Sequence, residues 1–208
     1  MAFRFGSDYA EDIELLDGRR VRLRPIRSTD KALLAAGFRR LSPQSRYRRF
    51  LSTRQDLTER ELRYLTELDG IDHFAICATR PGTNGAEEGI GVARFIRLPD
   101  QPSVAEPAVT ILDDWQHQGL GTILLERLAE AAAERGVERF RARVLGSNAP
   151  IRALLDELGT AASTRYEGEQ LVVEVALADA LSAAGTERSS PLGRLLGAIA
   201  RATPQPRI

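Results

Sequence analysis

Lysine is almost absent from this chain: Lys31 is the only one, and arginine carries the rest of the positive charge. Gene base composition accounts for such a bias without any demand for guanidinium groups. Cysteine is reduced to Cys77, which excludes an internal disulfide and fits a reducing cytoplasm. The two histidines, His73 and His117, with one cysteine cannot build an ordinary structural zinc site without carboxylates. No metal is expected. Net charge is lacking too, with 29 basic against 29 acidic residues. That balance argues against a dedicated nucleic-acid binder, which would be strongly basic. No apolar run approaches the roughly 18 residues of a membrane-spanning helix. The acidic start, Met1 to Asp17, has no apolar core segment, so a signal peptide is not expected. What remains is 43 % hydrophobic and 28 % charged, over 208 residues. That describes one ordinary soluble domain, with or without tails.

Organisation follows from periodicity. Residues 1–18 read as an acidic N-terminal extension, partly a strand near Ile13–Leu16. Arg19 to Arg27 alternates apolar and arginine, the period of a half-buried strand. Ser28–Thr29–Asp30 offers a helix N-cap, and Ser42–Pro43 opens a second helix with serine at the cap and proline at the first position. A third helix runs from Thr58, with Leu62, Leu65 and Leu68 spaced by three. His73–Thr79, Ile90–Leu98 and Val104–Leu112 read as three strands. Pro107 removes a ladder donor from the last of them, so a bulge or an edge is expected there. Gly119 to Gly136 is the clearest helix, with Leu120, Ile123, Leu124, Leu128 and Ala131 on one stripe. A strand at Val137–Leu145, a helix from Asn148 to Gly159 and two strands within Thr164–Leu177 follow. Residues 179–208 turn small and polar, a docked or mobile tail with one amphipathic piece at Leu192–Ile199. The order implies an α/β (α+β) fold on a mixed, mostly antiparallel sheet of about six to seven strands flanked by helices.

The chemistry lies in the turn between the Val104–Leu112 strand and its helix. Gln116, Gly119 and Gly121 there follow the pattern Gln-x-x-Gly-x-Gly. The first amides of a helix have no internal acceptors and sit at the positive end of its dipole. Glycines let a bulky anion approach the main chain. The combination makes a phosphate cradle. A Walker loop would need Gly-Lys-Ser/Thr, and the dinucleotide fingerprint would need glycine where Leu124 stands, so both fail. A tight turn whose glycines serve only packing stays open.

Gln116–His117–Gln118–Gly119–Leu120–Gly121 resembles the acetyl-CoA pyrophosphate loop of the GNAT superfamily of N-acetyltransferases. The following helix, strand, Asn148 and the helix ending at Gly159 keep that family's order. Arg22-Leu-Arg-Pro-Ile-Arg and Leu41-Ser-Pro-Gln-Ser-Arg-Tyr-Arg-Arg-Phe50 look like the bacterial protein lysine acetyltransferase branch. The resemblance covers residues 18–177 and implies a GNAT domain at residues 19–178, its sheet splayed at the acetyl-CoA site. It implies that Val109 and Ile111 meet pantetheine through their main chain. It places the Ile111 N–H on the thioester carbonyl as an oxyanion donor. The amides of Gln116, His117, Gln118, Gly119, Leu120, Gly121 and Thr122 would hold the pyrophosphate. Asn148 would bond near pantetheine or cap its own helix.

Ala-Glu106-Pro-Ala-Val resembles the Ala-Glu-Phe-Ala-Val strand of the lysine-acetylating branch. That implies Glu106 as the general base for an ammonium acceptor. A solvated strand glutamate is the alternative. The tyrosine that many relatives carry as general acid is replaced by Leu155, and Tyr166 is a candidate substitute. Cys77, in an apolar run, reads as a small core residue and not as an acyl carrier. The basic segment Arg19–Arg54 is either a steering rim or a solvated face neutralised by the acidic helix after Thr58.

The resemblance thus implies an N-acetyltransferase that moves the acetyl group of acetyl-CoA to a primary amine by direct attack in a ternary complex. The acceptor is a protein lysine in one reading and a small-molecule amine in another. A non-catalytic acyl-CoA-binding sensor or interaction module is the alternative of another class. Neither nucleic acid nor membrane is an expected partner, and a homodimer is compatible with the fold.

Overall fold

A computed structural model describes residues 3–50, 54–82, 85–145, 147, 153, 155, 162–184, 194, 195 and 198. Its centre is one eight-stranded sheet: β1 (Glu11–Glu14), β2 (Arg20–Pro25), β3 (His73–Pro81), β4 (Glu87–Leu98), β5 (Gln101–Ile111), β6 (Arg139–Leu145), β7 (Ala162–Glu167) and β8 (Gln170–Ala176). They lie in the order β1-β2-β3-β4-β5-β6-β8-β7. Every neighbouring pair is antiparallel except β5 and β6.

Helices flank the sheet, among them α1 (Lys31–Arg40), α2 (Pro43–Phe50), α3 (Glu59–Thr66), α4 (Leu120–Glu134) and α5 (Leu177–Ala184). α4 lies across β3, β4 and β5 on one face, while α1 packs on β4 and on α3. Two glycines of β4 make the close approach possible. A Cβ on Gly89 would meet Leu33 of α1 at 2.5 Å, and one on Gly91 would meet Ile111 at 2.7 Å and Leu124 of α4 at 3.3 Å. The core on the α4 side joins Ile76, Phe95, Leu124, Leu128, Phe140 and Val173, all fully buried. Each such side chain contributes about 1.5–3 kcal/mol relative to exposure.

Local chemistry starts and stops these elements. Thr58 accepts the Glu61 N–H while the Glu61 carboxylate takes the Thr58 N–H at 2.8 Å, a reciprocal cap for α3. Gly136, at φ 77°, ends α4 in the left-handed region.

Charge is neutralised locally. Lys31 pairs with Glu59 and Glu67, Arg39 with Asp56, Arg54 with Glu61, and Arg40 with Glu88. The basic N-terminal segment is therefore laced to acidic partners, as the solvated-face reading expects. Arg24, buried at 3 % exposure, pairs with the buried Asp30 at 2.7 Å and with Glu87 at 2.6 Å.

The structure corrects or sharpens the sequence reading in four places. There are eight described strands instead of six to seven, because the N-terminal extension supplies one. That strand is Glu11–Glu14, a little before the expected Ile13–Leu16. The extension is stitched to the body: Phe5 is fully buried, and Arg127 of α4 binds Glu11 at 2.7 and 2.8 Å. Leu177–Ala184 is a helix packed on α4, so the start of the expected docked or mobile tail is helical and docked. Leu177 at its start is buried. Farther along, Leu195 is buried in the same core. Finally, of the bulge or edge expected at Pro107 the edge is found: the β4–β5 register runs unbroken through Phe95↔Pro107, while pairing with β6 ends at Ala105.

Candidate active site

The parallel pair β5/β6 is short. Only Val104↔Arg139 and Ala105↔Phe140 are in register, and beyond Ala105 the two strands part. Main-chain directions on β5 follow from two hydrogen bonds. The Ser103 carbonyl accepts the Glu138 N–H at 2.8 Å, so odd-numbered residues turn their amides toward β6. The Leu112 N–H donates to the Ile90 carbonyl at 3.0 Å, so even-numbered residues turn theirs toward β4. The N–H groups of Val109 and Ile111 therefore aim into the gap. Pro107 occupies the first gap-facing position past Ala105, where an N–H would have no strand to bond. That explains a proline in the middle of a sheet.

At the end of β5 a 3-10 turn, Asp113–Trp115, leads into the loop before α4. The Gln116 side chain donates to the Ile111 carbonyl at 3.1 Å and ties loop to strand. His117 (φ 62°) and Gly119 (φ 83°) are both left-handed. Positive φ at a non-glycine residue is uncommon, and such outliers cluster at ligand clamps. Alternating handedness turns successive amides inward into an anion-binding nest. Thr122 and Ile123 donate back to the Gly119 carbonyl at 3.1 Å. Among the described residues, the N–H groups of His117, Gln118, Gly119, Leu120 and Gly121 find no acceptor. They sit at the N-terminus of a fifteen-residue helix, where the dipole favours an anion.

Beneath the loop, Trp115 is buried and the Arg19 guanidinium lies 3.7 Å from its ring centre. Asp113 reaches the start of α2. It accepts the Ser42 N–H at 2.9 Å and the Ser42 and Ser45 hydroxyls at 3.0 and 2.7 Å. The nest is thereby fixed to the helical side of the sheet.

Glu106 lies on the face covered by α1 and α3. Its Oε1 accepts the Arg143 Nη1 of β6 at 2.7 Å, an ion pair across the parted strands. The other oxygen has no partner among the described residues. Arg143 also approaches Glu167 at 3.6 Å. Sequence reasoning missed Arg143, although Arg139, Arg141 and Arg143 alternate along β6 and so share one face.

The remaining candidates fall as follows. Val109 is buried, Ile111 is half-buried, and His117 is exposed. Asn148 and Gly159 lie outside the described residues. Leu155 is helical and packs against the core. Tyr166, 63 % exposed, pairs through Leu171 with Val144, on the opposite face from Glu106 and Arg143. It therefore does not share a face with the candidate base, because a strand alternates faces at every residue. Cys77 is buried, and that burial pushes its thiol up to about 12, a poor nucleophile. Among the described residues no group of three histidine, cysteine or acidic side chains is placed to hold a metal.

A family model described as the acetyltransferase (GNAT) domain matches residues 20–161. The chain belongs to the GNAT acetyltransferase family. It is 37 % identical over 147 residues to Acetyltransferase Pat of Mycolicibacterium smegmatis, covering 71 % of this chain and 43 % of that protein. The chain thus spans less than half the length of that relative. The crystal structure of the GNAT domain of S. lividans PAT superposes with a TM-score of 0.69 at 28 % identity, covering 83 % of this chain and 99 % of that one. A putative acetyltransferase from Salmonella typhimurium, solved with its cofactor acetyl-CoA, shares the fold. It has a TM-score of 0.52 and 18 % identity, over 76 % of this chain and 94 % of that one. As a GNAT domain this chain is an acyltransferase on a mixed sheet flanked by helices.

Proposed function

We propose that this chain transfers the acetyl group of acetyl-CoA to the side-chain amine of a protein lysine, by direct attack in a ternary complex. The observation that carries this reading is the parting of β5 from β6. It turns two amides into the gap and ends at five vacant amides on a helix N-terminus. A strand-like amide chain fits the gap and a diphosphate fits the nest, which are the two ends of one cosubstrate. The Salmonella neighbour's acetyl-CoA favours the same cosubstrate here.

Acetyl-CoA supplies an activated acyl carbon when bound. The N–H groups of Val109 and Ile111 hold the ligand's main axis in the gap. The Ile111 N–H faces the carbonyl oxygen that gains charge as the amine attacks. Glu106 accepts the proton of the ammonium, directly or through a water, with the oxygen that Arg143 leaves free. The C–N bond forms, the C–S bond breaks, the thiolate departs, and the second proton on the nitrogen passes to that thiolate or to water. A thiolate tolerates departure without strong acid help, which fits Leu155 at the usual tyrosine position and Tyr166 on the other face.

The lysine acceptor rests on the resemblance of the Arg22–Arg27 and Leu41–Phe50 segments to the lysine-acetylating branch, and on the relation to Acetyltransferase Pat. A cytoplasmic setting belongs to the same reading, as the place where acetyl-CoA and protein lysines meet. Among the described residues no helix is long and apolar enough to cross a membrane.

The test is peptide mass spectrometry of a cell lysate incubated with the protein and isotopically labelled acetyl-CoA. Label on lysine side chains, lost with Glu106→Gln, is the expected result. Label confined to small amines replaces the lysine acceptor. Binding of acetyl-CoA with no label anywhere makes the domain a non-catalytic acyl-CoA sensor.

A further inference from the structure

A cation without a counter-charge lies on the same face of the sheet as Glu106. Arg94 of β4 is 2 % exposed and heads the largest fully buried side chains. Its Nε has no hydrogen-bond partner, and its Nη1 meets the Nε2 of His73 at 3.2 Å. Burial, then the charge of Arg94, pushes the His73 pKa down to about 4, so the ring is neutral and accepts this bond. No carboxylate pairs with Arg94 among the described residues. Arg46 also has an unpartnered Nε, but its terminal nitrogens donate to the carbonyls of Arg54, Arg39 and Leu41, and the other buried arginines among the described residues are matched. Arg24 has Asp30 and Glu87, Arg141 has Glu174, and Arg135 donates to the carbonyls of Gly70, Ala131 and Phe5. Burial lowers the pKa of Arg94 to about 10, which still leaves it charged at neutral pH. An unpaired buried charge is among the costliest features a fold can carry.

Arg94 lines a cavity of about 60 Å³ between α1, α3 and strands β3 to β5. The other walls include Leu33, Leu34 and Phe38 of α1, Leu65 of α3, and Val92 and Cys77. The Cys77 thiol is neutral, held up at about 12 by burial. At about 10–15 Å³ for each water-sized group, the space holds roughly four to six such groups. That is the size of a carboxylate on a short hydrocarbon chain.

We propose that this cavity binds a short aliphatic carboxylate, its chain against α1 and α3 and its charge paired with Arg94. A guanidinium matches a planar carboxylate with two parallel hydrogen bonds. One cation in an apolar wall suits a monoanion; a phosphate dianion would bring a second charge with nothing to offset it. Arg94 stands opposite Ala108 of β5, diagonal to Glu106, so the bound acid lies beside the candidate transfer centre. The carboxylate is either a free acid acting as an effector or part of the acceptor. Binding is measured without turnover, so the proposal stands or falls separately from acetyl transfer.

The experiment compares sodium butyrate with butyramide, its uncharged isostere, by thermal unfolding and calorimetry on the full chain. Butyrate is expected to bind saturably and raise the unfolding temperature, with butyramide at least ten-fold weaker. Arg94→Met abolishes the difference. Gly37→Leu is chosen to fill the cavity from α1 while keeping the guanidinium; a Cβ there has its nearest neighbour, the Gly89 carbonyl, at 3.7 Å. It is expected to block butyrate as well, and it decides the matter even if Arg94→Met fails to fold. Equal binding of acid and amide, butyrate binding that survives either substitution, or no butyrate binding by the wild type overturns the proposal. Butyrate competing with an amine acceptor marks the acceptor as the source of the carboxylate. An Arg94-dependent effect on turnover without such competition marks a free effector.

Discussion

Arg143 donates to Glu106 at 2.7 Å from the opposite lip of the gap between β5 and β6. The pair links the two strands beyond the point where their ladder ends. It fixes one carboxylate oxygen and leaves the other to meet an incoming amine or water. A partly exposed pair of this kind contributes only about 0–1 kcal/mol to stability. Its value lies in orientation.

Replacing Glu106 with Gln is therefore expected to lower acetyl transfer by roughly 10²–10⁴-fold while leaving acetyl-CoA affinity unchanged. Arg143→Met should lower kcat by about ten-fold through a misplaced base, again with unchanged cosubstrate affinity and nearly unchanged Tm. Release of coenzyme A thiol reports the rate, and calorimetry reports binding. Full turnover in Glu106→Gln returns that residue to the role of a solvated strand glutamate.

Gly119 tests the nest. A Cβ there would meet nothing closer than Leu16 at 3.7 Å, so space is not the obstacle; φ of 83° is. A left-handed alanine costs about 1–2 kcal/mol. Gly119→Ala should weaken acetyl-CoA binding by about ten-fold as the loop relaxes and the amides turn away. An unaltered dissociation constant would show that the diphosphate sits elsewhere.

Asp30 tests the buried ion pair on the α1 side. It takes two hydrogen bonds from Arg24 and one from the Arg27 N–H. Asp30→Ala strands a buried guanidinium, which costs about 3–5 kcal/mol. At about 2–4 °C per kcal/mol for a chain of this size, the expected fall in Tm is on the order of 10 °C. A change below about 2 °C would mean that Glu87 alone compensates Arg24.

His73 gives the fold a pH dependence with a definite sign. Burial first, and Arg94 second, lower its pKa from 6.5 to about 4. Between those values the unfolded chain binds a proton that the folded chain refuses. The stability tied to neutral His73 is complete above pH 6.5 and is lost as pH falls toward 4. His73→Gln keeps an acceptor for Arg94 and should flatten that part of the stability curve. Urea unfolding at a series of pH values measures it, and an unchanged slope would assign the acid sensitivity to other groups.

Local pattern was enough for much of this molecule. Alternation marked the Arg19–Arg27 strand, the Ser42–Pro43 start and the Leu120–Ala131 stripe marked helices, and the spacing of Gln116, Gly119 and Gly121 marked the loop that α4 presents. These are short-range properties, written in neighbouring residues. The glycine at φ 83° and the vacant first-turn amides follow from that same local chemistry.

What only the tertiary structure decided depends on registers and faces. Which amides of β5 point into the gap was settled by bonds to β4 and β6. The partner of Glu106 came from a strand thirty-seven positions away. The exclusion of Tyr166 from the Glu106 face, the burial of Phe5 and the isolation of Arg94 were settled by packing in the same way. A side chain's electrostatic surroundings are fixed by strands that pair at long range, and composition or periodicity carries no record of which pairs form.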